Sequence, residues 1–230
     1  MNMTKNTGEK KPKTERDPLD RYYTPPALAD ACLRWTWARV QAEAYPGAEV
    51  APQRVAEPCA GAGAFGRAAA TLWPGAEVSG CDVDPAADPG YPCDRVPVAQ
   101  WKPPGWYGHR LWIVTNPFYE GVYETIRTLR GMQRDTGADL LGLLLRATTL
   151  ERVMSGETDP PDWIAITGQR PRWGGPGGEA LRTGDTCGSV WCVWHSRVLR
   201  TMLARGPERG DTRIWGLPQW RAVGRAGGGA

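Results

Sequence analysis

The sequence predicts an α/β domain: a mainly parallel sheet with helices on both faces and an antiparallel last strand. Three observations support that class. Short apolar runs alternate with segments of helical spacing, the order from which parallel sheets are built. The run DLLGLLL, Asp139 to Leu145, is apolar almost without interruption, as a central strand covered on both faces must be. Two strand-like runs, Asp162 to Thr167 and Ser189 to His195, are separated by a long Gly/Arg loop and suit antiparallel pairing.

The chain has 230 residues, enough for one domain with one sizeable core. The expected division is a disordered tail over 1–18, a single domain over 19–222 and a flexible tail over 223–230. The first segment is polar and rich in Lys and Thr, with too little to bury, and the last is Gly-rich. A formal charge of +3 permits a nucleic-acid partner without demanding one. No run of about 18 apolar residues and no apolar leader segment is visible, so a soluble cytoplasmic protein is expected. The six cysteines form no CxxC pair and only two histidines accompany them, so free thiols are expected rather than a metal site. His109 and His195 have no patterned acid or nucleophile beside them and read as structural.

In chain order, Thr24 is placed to cap a helix with Pro25 and Pro26 in its first turn. Leu28, Ala31, Cys32, Trp35 and Val40 then recur at helical spacing. Arg54 opens a strand–turn–helix–strand unit, RVAEPCAGAGAFGRAAATLWPGAEVSGCDVDP. Gly61 and Gly63 lack the Cβ atoms that would keep a ligand off the loop backbone, and free N–H groups begin the next helix. Asp82 and Val83 end the second strand, where a βαβ nucleotide site holds a carboxylate for ribose hydroxyls. By itself such a Gly/Ala loop is equally a plain turn.

Beyond Pro85 the chain is irregular through Gly90, and the next strand, Leu111 to Val114, leads into Thr115-Asn116-Pro117-Phe118-Tyr119. That corner falls at the C-terminal end of a parallel strand, the edge where such sheets bind ligands. A helix is expected over Gly121 to Arg130, and Arg146 follows the DLLGLLL strand on the same rim as Asn116. Of the twelve tryptophans, Trp35, Trp112, Trp191 and Trp194 read as core. Trp173, in a polar loop with Arg170 and Arg172, is the exposed candidate for base stacking beside phosphate contacts. Aromatics within Thr212 to Trp220 are expected to pack onto the core.

Taken in order, YTPP, EPCAGAGAF, CDVDP and TNPFY resemble the motifs of phage-type DNA adenine-N6 methyltransferases, over about Tyr22 to Arg197. The resemblance implies a Rossmann-like class I methyltransferase fold with a mainly parallel seven-stranded sheet and an antiparallel last strand. It implies S-adenosylmethionine as cofactor and duplex DNA with a flipped adenine as partner, in the host cytoplasm if the chain is phage-encoded. By the same resemblance Tyr23, Thr24 and Pro25 close over the methionine end of the cofactor. Glu57 faces its methionine part with a carboxylate near the ammonium, Pro58 beside it is a further cofactor contact, Phe65 packs near the cofactor, and an Asp at the end of the third strand contacts its adenine. Register puts that last position on Pro97, with Asp94 three residues early, so either Asp94 reaches the ring or the contact is lost.

The chemistry proper falls on Asn116, Pro117, Phe118 and Tyr119. An adenine exocyclic amine is a poor nucleophile because its lone pair is delocalised into the ring. The Asn116 side-chain oxygen and the Pro117 carbonyl are two acceptors that would hold its hydrogens in the geometry of attack. Positioning and electrostatics would then supply most of the rate, with no strong base needed before transfer. Tyr119 matches the family's stacking aromatic, whereas Phe118 stands where most members carry a second proline, which frees φ and restores an N–H. Other substrates share the corner: adenine in RNA, or a protein glutamine amide. A catalytically degenerate methyltransferase-fold DNA-binding protein is a further alternative.

Overall fold

The computed structural model describes residues 22–103, 108, 110–155, 159–168, 171, 173–174, 188–203 and 212–217. Both expected tails, His109, Arg170, Arg172 and Cys187 lie outside the described residues.

Among the described residues, five helices and eight strands follow one another as α1 (Pro26–Glu43), β1 (Arg54–Pro58), α2 (Ala64–Leu72), β2 (Glu77–Cys81), β3 (Cys93–Asp94), β4 (Leu111–Thr115), α3 (Val122–Thr136), β5 (Leu140–Arg146), α4 (Ala147–Met154), β6 (Trp163–Ile166), β7 (Ser189–His195), α5 (Arg197–Met202) and β8 (Arg213–Gly216). They form one sheet in the order β3-β2-β1-β4-β5-β7-β6-β8. The mainly parallel sheet is as expected, and β7 alone runs antiparallel, to β5 on one side and β6 on the other. Two details differ from the sequence reading. The described sheet has eight strands rather than seven, because the segment expected only to pack its aromatics adds β8 parallel to β6. The last strand in the chain is therefore parallel, and the antiparallel one precedes it.

Alternation along the strands divides the core into two layers. In β4, Trp112 and Val114 point to one face and Leu111 and Ile113 to the other. The first face is covered by α1, α2 and α5, where Leu28, Phe65 and Leu199 are fully buried. The second is covered by α3 and α4 through Val122, Ile126, Leu129 and Val153. In α3 these apolar positions recur at i, i+4 and i+7, which is why the helix lies flat on the sheet. It extends past the expected Arg130 to Thr136 and stops at Gly137, whose φ of 70° lets its own N–H and that of Ala138 turn back to the last carbonyls. Trp35, Trp112, Trp191 and Trp194 are core residues as expected. Among the described residues no helix is long and apolar enough to cross a membrane, and no cluster of His, Cys, Asp and Glu could hold a metal ion.

Candidate functional site

Strand β1 sits between β2 and β4, and the chain winds away from it in opposite directions on the two sides. Such a switch point leaves a crevice outside the carboxyl ends of the strands. The Thr115 hydroxyl donates to the Pro58 carbonyl and ties the ends of β4 and β1 together. Cys59 (φ 59°) and Gly61 (φ 50°) then take left-handed backbone conformations that turn the loop over the crevice. The loop is held to β2 by Asp82, whose Oδ2 accepts from the Gly61 N–H at 2.7 Å and whose Oδ1 accepts from the Asp84 N–H at 2.8 Å.

Asn116 follows β4 directly and faces Asp82 across this cleft. Its Nδ2 donates to the Tyr22 carbonyl at 3.4 Å, whereas its Oδ1 is buried with no hydrogen-bond partner. A buried acceptor left unfilled costs about 1–3 kcal/mol, so this oxygen is built for a donor the protein itself does not provide. Pro117, Phe118 and Tyr119 line the same cleft. The Phe118 backbone, with the N–H that a second proline would lack, lies beside Cys59, whose thiol is pushed well up by burial. Tyr119 carries the Arg146 guanidinium 4.8 Å from its ring centroid and meets the rings of Tyr22 at 6.0 Å and Trp173 at 6.3 Å.

Other sequence-derived candidates have different places. Thr24 is not a helix cap: Pro25 is the N-cap residue, and Thr24 lines a small void beside the glycine loop. Gly63, with φ 73°, is required by the neighbouring backbone, because a Cβ there would strike Pro89; it lies outside the cleft. Phe65 is a core residue stacked on Trp191 at 5.1 Å. Glu57 is only 2% exposed and faces the start of α2, where its oxygens accept from the Phe65 and Gly66 N–H groups at 3.1 and 2.6 Å and from the Tyr91 hydroxyl. It caps that helix and complements its dipole. Pro58 is buried at the end of β1. Val83 lines the cleft and is exposed, while Asp94 lies in β3 and accepts from the Trp101 indole N–H at 2.9 Å. Trp173, expected to be exposed, is 2% exposed because it packs against the core and Tyr119.

Several cleft residues were missed. Tyr22 directly precedes the YTPP motif and Asp84 lies within CDVDP, so both belong to segments already singled out. Val96 and Val98 supply an apolar wall where the expected acid had been sought. Together Tyr22 and Tyr23 form a strap across the cleft. Tyr23 pairs with Gly174 through two backbone hydrogen bonds of 2.9 Å, and its hydroxyl donates to Asp84 Oδ2 at 3.4 Å. Its ring lies so near Gly61 that a Cβ there would sit 3.0 Å from it. The cavity left beneath the strap is about 70 Å³. Small-molecule sites hold about 300–1,000 Å³, so a ligand of that size fits only if the strap moves aside.

No family model and no curated protein matches the chain. Solved structures do. A candidate RNA methyltransferase of Pyrococcus horikoshii is 14% identical, aligns over 77% of this chain and 87% of its own, and superposes with a TM-score of 0.52. A magnesium protoporphyrin IX methyltransferase of Synechocystis, solved with S-adenosylmethionine bound, is 13% identical over 74% of this chain and 79% of its own, with a TM-score of 0.43. The first of these likenesses shows that the chain has the class I methyltransferase fold.

Proposed function

We propose that the chain is an S-adenosylmethionine-dependent methyltransferase acting on the exocyclic N6 amine of adenine in duplex DNA, with the target base flipped out of the stack. The observation that carries this reading is the buried, unpartnered Asn116 Oδ1 in a cleft at the switch point of the sheet. An amine hydrogen is the donor it lacks, and the adjacent Pro117 carbonyl is the second acceptor. Together they hold the amine's two hydrogens so that the nitrogen lone pair turns away from the ring system. The amine releases its proton after transfer, so the absence of a strong base from this corner is no obstacle.

Asp82 fits a nucleoside. Each of its oxygens accepts one backbone hydrogen bond and retains a lone pair for a ribose hydroxyl. Val83, Val96 and Val98 form an apolar wall for a flat ring. S-adenosylmethionine would supply a methyl group activated by its positively charged sulfonium. We assign the Glu57 carboxylate to α2 and not to the ammonium, because its oxygens already accept from the Phe65 and Gly66 N–H groups. Phe118, half-buried in the cleft, is the ring assigned to stacking, because Tyr119 already carries Arg146. Entry requires the Tyr22–Tyr23 strap to swing away, as closing segments of enzymes do.

A second reading has its own observation. The closed strap and the internal bonds of Glu57 and Asp94 also suit a methyltransferase fold that binds DNA without turnover. The deciding experiment measures transfer of labelled methyl groups from S-adenosylmethionine to duplex DNA, RNA and protein, with wild type and Asn116→Ala. Incorporation into DNA adenine that falls about 10²–10³-fold in the variant is expected. Preferential labelling of RNA or protein would reassign the substrate, and DNA binding without incorporation would establish the second reading.

A further inference from the structure

The opposite end of the sheet carries a second concavity that the proposed reaction does not use. It lies where α3 ends, β6 begins and α5 starts, beside His195, which pairs with Leu140 at the amino end of β5. Asn116 projects from the carboxyl end of the neighbouring β4, so the two sites are on opposite edges. The cavity encloses about 1,150 Å³, room for a small ligand, against about 70 Å³ at the closed cleft.

Its chemistry is cationic. Four guanidinium groups line it, those of Arg130, Arg134, Arg197 and Arg200, against two carboxylates, Asp159 and Asp162. Arg200 is committed to Asp162, donating from Nε at 2.9 Å and Nη2 at 3.0 Å. Arg130 is a buried cation, its side chain 10% exposed, and burial lowers its pKa. Its carboxylate partner among the described residues, Asp159 at 3.3 Å, is 67% exposed, which screens that pair with water. Arg134 on α3 and Arg197 on α5 have no acidic partner among the described residues. Among the described residues, two positive charges therefore remain unmatched around one concave space.

His195, at the wall of the cavity, is enclosed by the protein: its Nδ1 lies 3.8 Å from Asp162 Oδ2 and Trp163 meets its ring edge-on at 4.1 Å. Its side chain is fully buried, it belongs to the cavity lining, and neither ring nitrogen has a hydrogen-bond partner. The ring is neutral near pH 7, with its pKa lowered to about 4 by burial, so it offers one N–H and one acceptor instead of charge.

We propose that this cavity binds a small dianion of the phosphate-monoester class through Arg130, Arg134 and Arg197. Planar guanidinium forks match phosphate oxygens in bidentate geometry, and a doubly charged group balances the two unmatched cations. Arg200 and Asp162 brace the wall.

The test titrates the full chain with inorganic phosphate, adenosine 5′-monophosphate and a short DNA duplex with or without a 5′-phosphate, by calorimetry. The double variant Arg134→Ala/Arg197→Ala removes two exposed side chains and should fold. Arg34→Ala/Arg127→Ala, which removes two surface cations elsewhere, is the charge-matched control. Phosphate binding at about 1 mM or tighter is expected, weakened about tenfold or more in the first variant and within about twofold of wild type in the control. A preference for the nucleotide, or for the 5′-phosphorylated duplex over the unphosphorylated one, would identify the source of the phosphate. No binding at up to about 20 mM phosphate, or equal losses in both variants, would overturn the proposal.

Discussion

The Tyr91 hydroxyl donates a hydrogen bond to the buried carboxylate of Glu57, thirty-four residues away in sequence, and so joins the loop before β3 to the start of α2. The ring passes where Gly66 has no side chain: a Cβ at Gly66 would collide with it. One acid therefore fixes the end of β1, the first turn of α2 and the loop that follows Asp82. This arrangement sets a pH dependence. Burial raises the Glu57 pKa from 4.5 to about 7, against the pull of its three hydrogen-bond donors. Between those values the folded protein holds a proton that the unfolded chain has lost. The contribution of this group is thus greatest below pH 4.5 and declines as pH rises through about 7. Compared with Glu57→Gln, wild type should lose on the order of 1–3 kcal/mol across that interval, read as the difference between two melting-temperature profiles. Parallel profiles would show that Glu57 does not titrate there.

Substituting Gly66→Ala tests the same junction sterically. Alanine favours the helix by about 1 kcal/mol over glycine, yet here it meets the Tyr91 ring. The variant should be destabilised by about 1–3 kcal/mol in denaturant unfolding, and the same substitution made in a Tyr91→Ala background should cost less. A stabilised single variant would mean that the ring moves freely.

How much of this was legible from the sequence depended on the range of the interactions. β4 and β5 were visible because strands buried on both faces need continuous apolar residues. Asn116 was legible because its position at a strand end sits in one short motif. β8 was not, since four half-exposed residues on a sheet edge carry no strong pattern. Glu57 was taken for a ligand contact because nothing in sequence says that its carboxylate reaches back to the N–H groups of Phe65 and Gly66. Gly63 owes its identity to Pro89, and Trp173 owes its burial to distant partners in a loop whose local composition is polar.

Asp162 is the charge centre of the far edge. It is 5% exposed, and its oxygens accept from the His195 N–H at 2.7 Å and from both the Nε and Nη2 of Arg200, linking the start of β6, the end of β7 and α5. Asp162→Ala leaves a buried N–H unpaired and a partly buried guanidinium uncompensated. The expected cost is about 2–4 kcal/mol in chemical denaturation. Arg200→Ala should cost less, because the Asp162 carboxylate keeps its backbone donor. Equal costs would place the energy in the ion pair alone.

Gly142 lies at the centre of β5, and a Cβ there would run into the Trp191 ring on β7. That indole cannot yield easily: its N–H donates to Thr36 at 2.8 Å and its ring stacks on Phe65. Gly142→Ala should therefore cost about 1–3 kcal/mol, although alanine is the better strand residue, and should red-shift tryptophan fluorescence as the packing loosens. A thermally neutral variant would show that the two sheet layers have slack.

Tyr23 gives the sharpest test of the closed cleft. Its ring covers Gly61, its hydroxyl reaches Asp84, and its backbone is bonded on both sides of Gly174. A ligand for the cleft must wait for this strap to open, so the association rate is scaled by the open fraction. Tyr23→Ala removes the ring and the hydroxyl bond but leaves the backbone pairing. Association of S-adenosylmethionine, followed by stopped-flow quenching of tryptophan fluorescence, should then accelerate about 3–10-fold. Dissociation should accelerate as well, because a strap that blocks entry also holds a bound ligand in. The equilibrium constant would move less than either rate. A variant that changes affinity through dissociation alone would make Tyr23 a simple contact residue, and unchanged rates in both directions would mean that ligands reach Asp82 by another route.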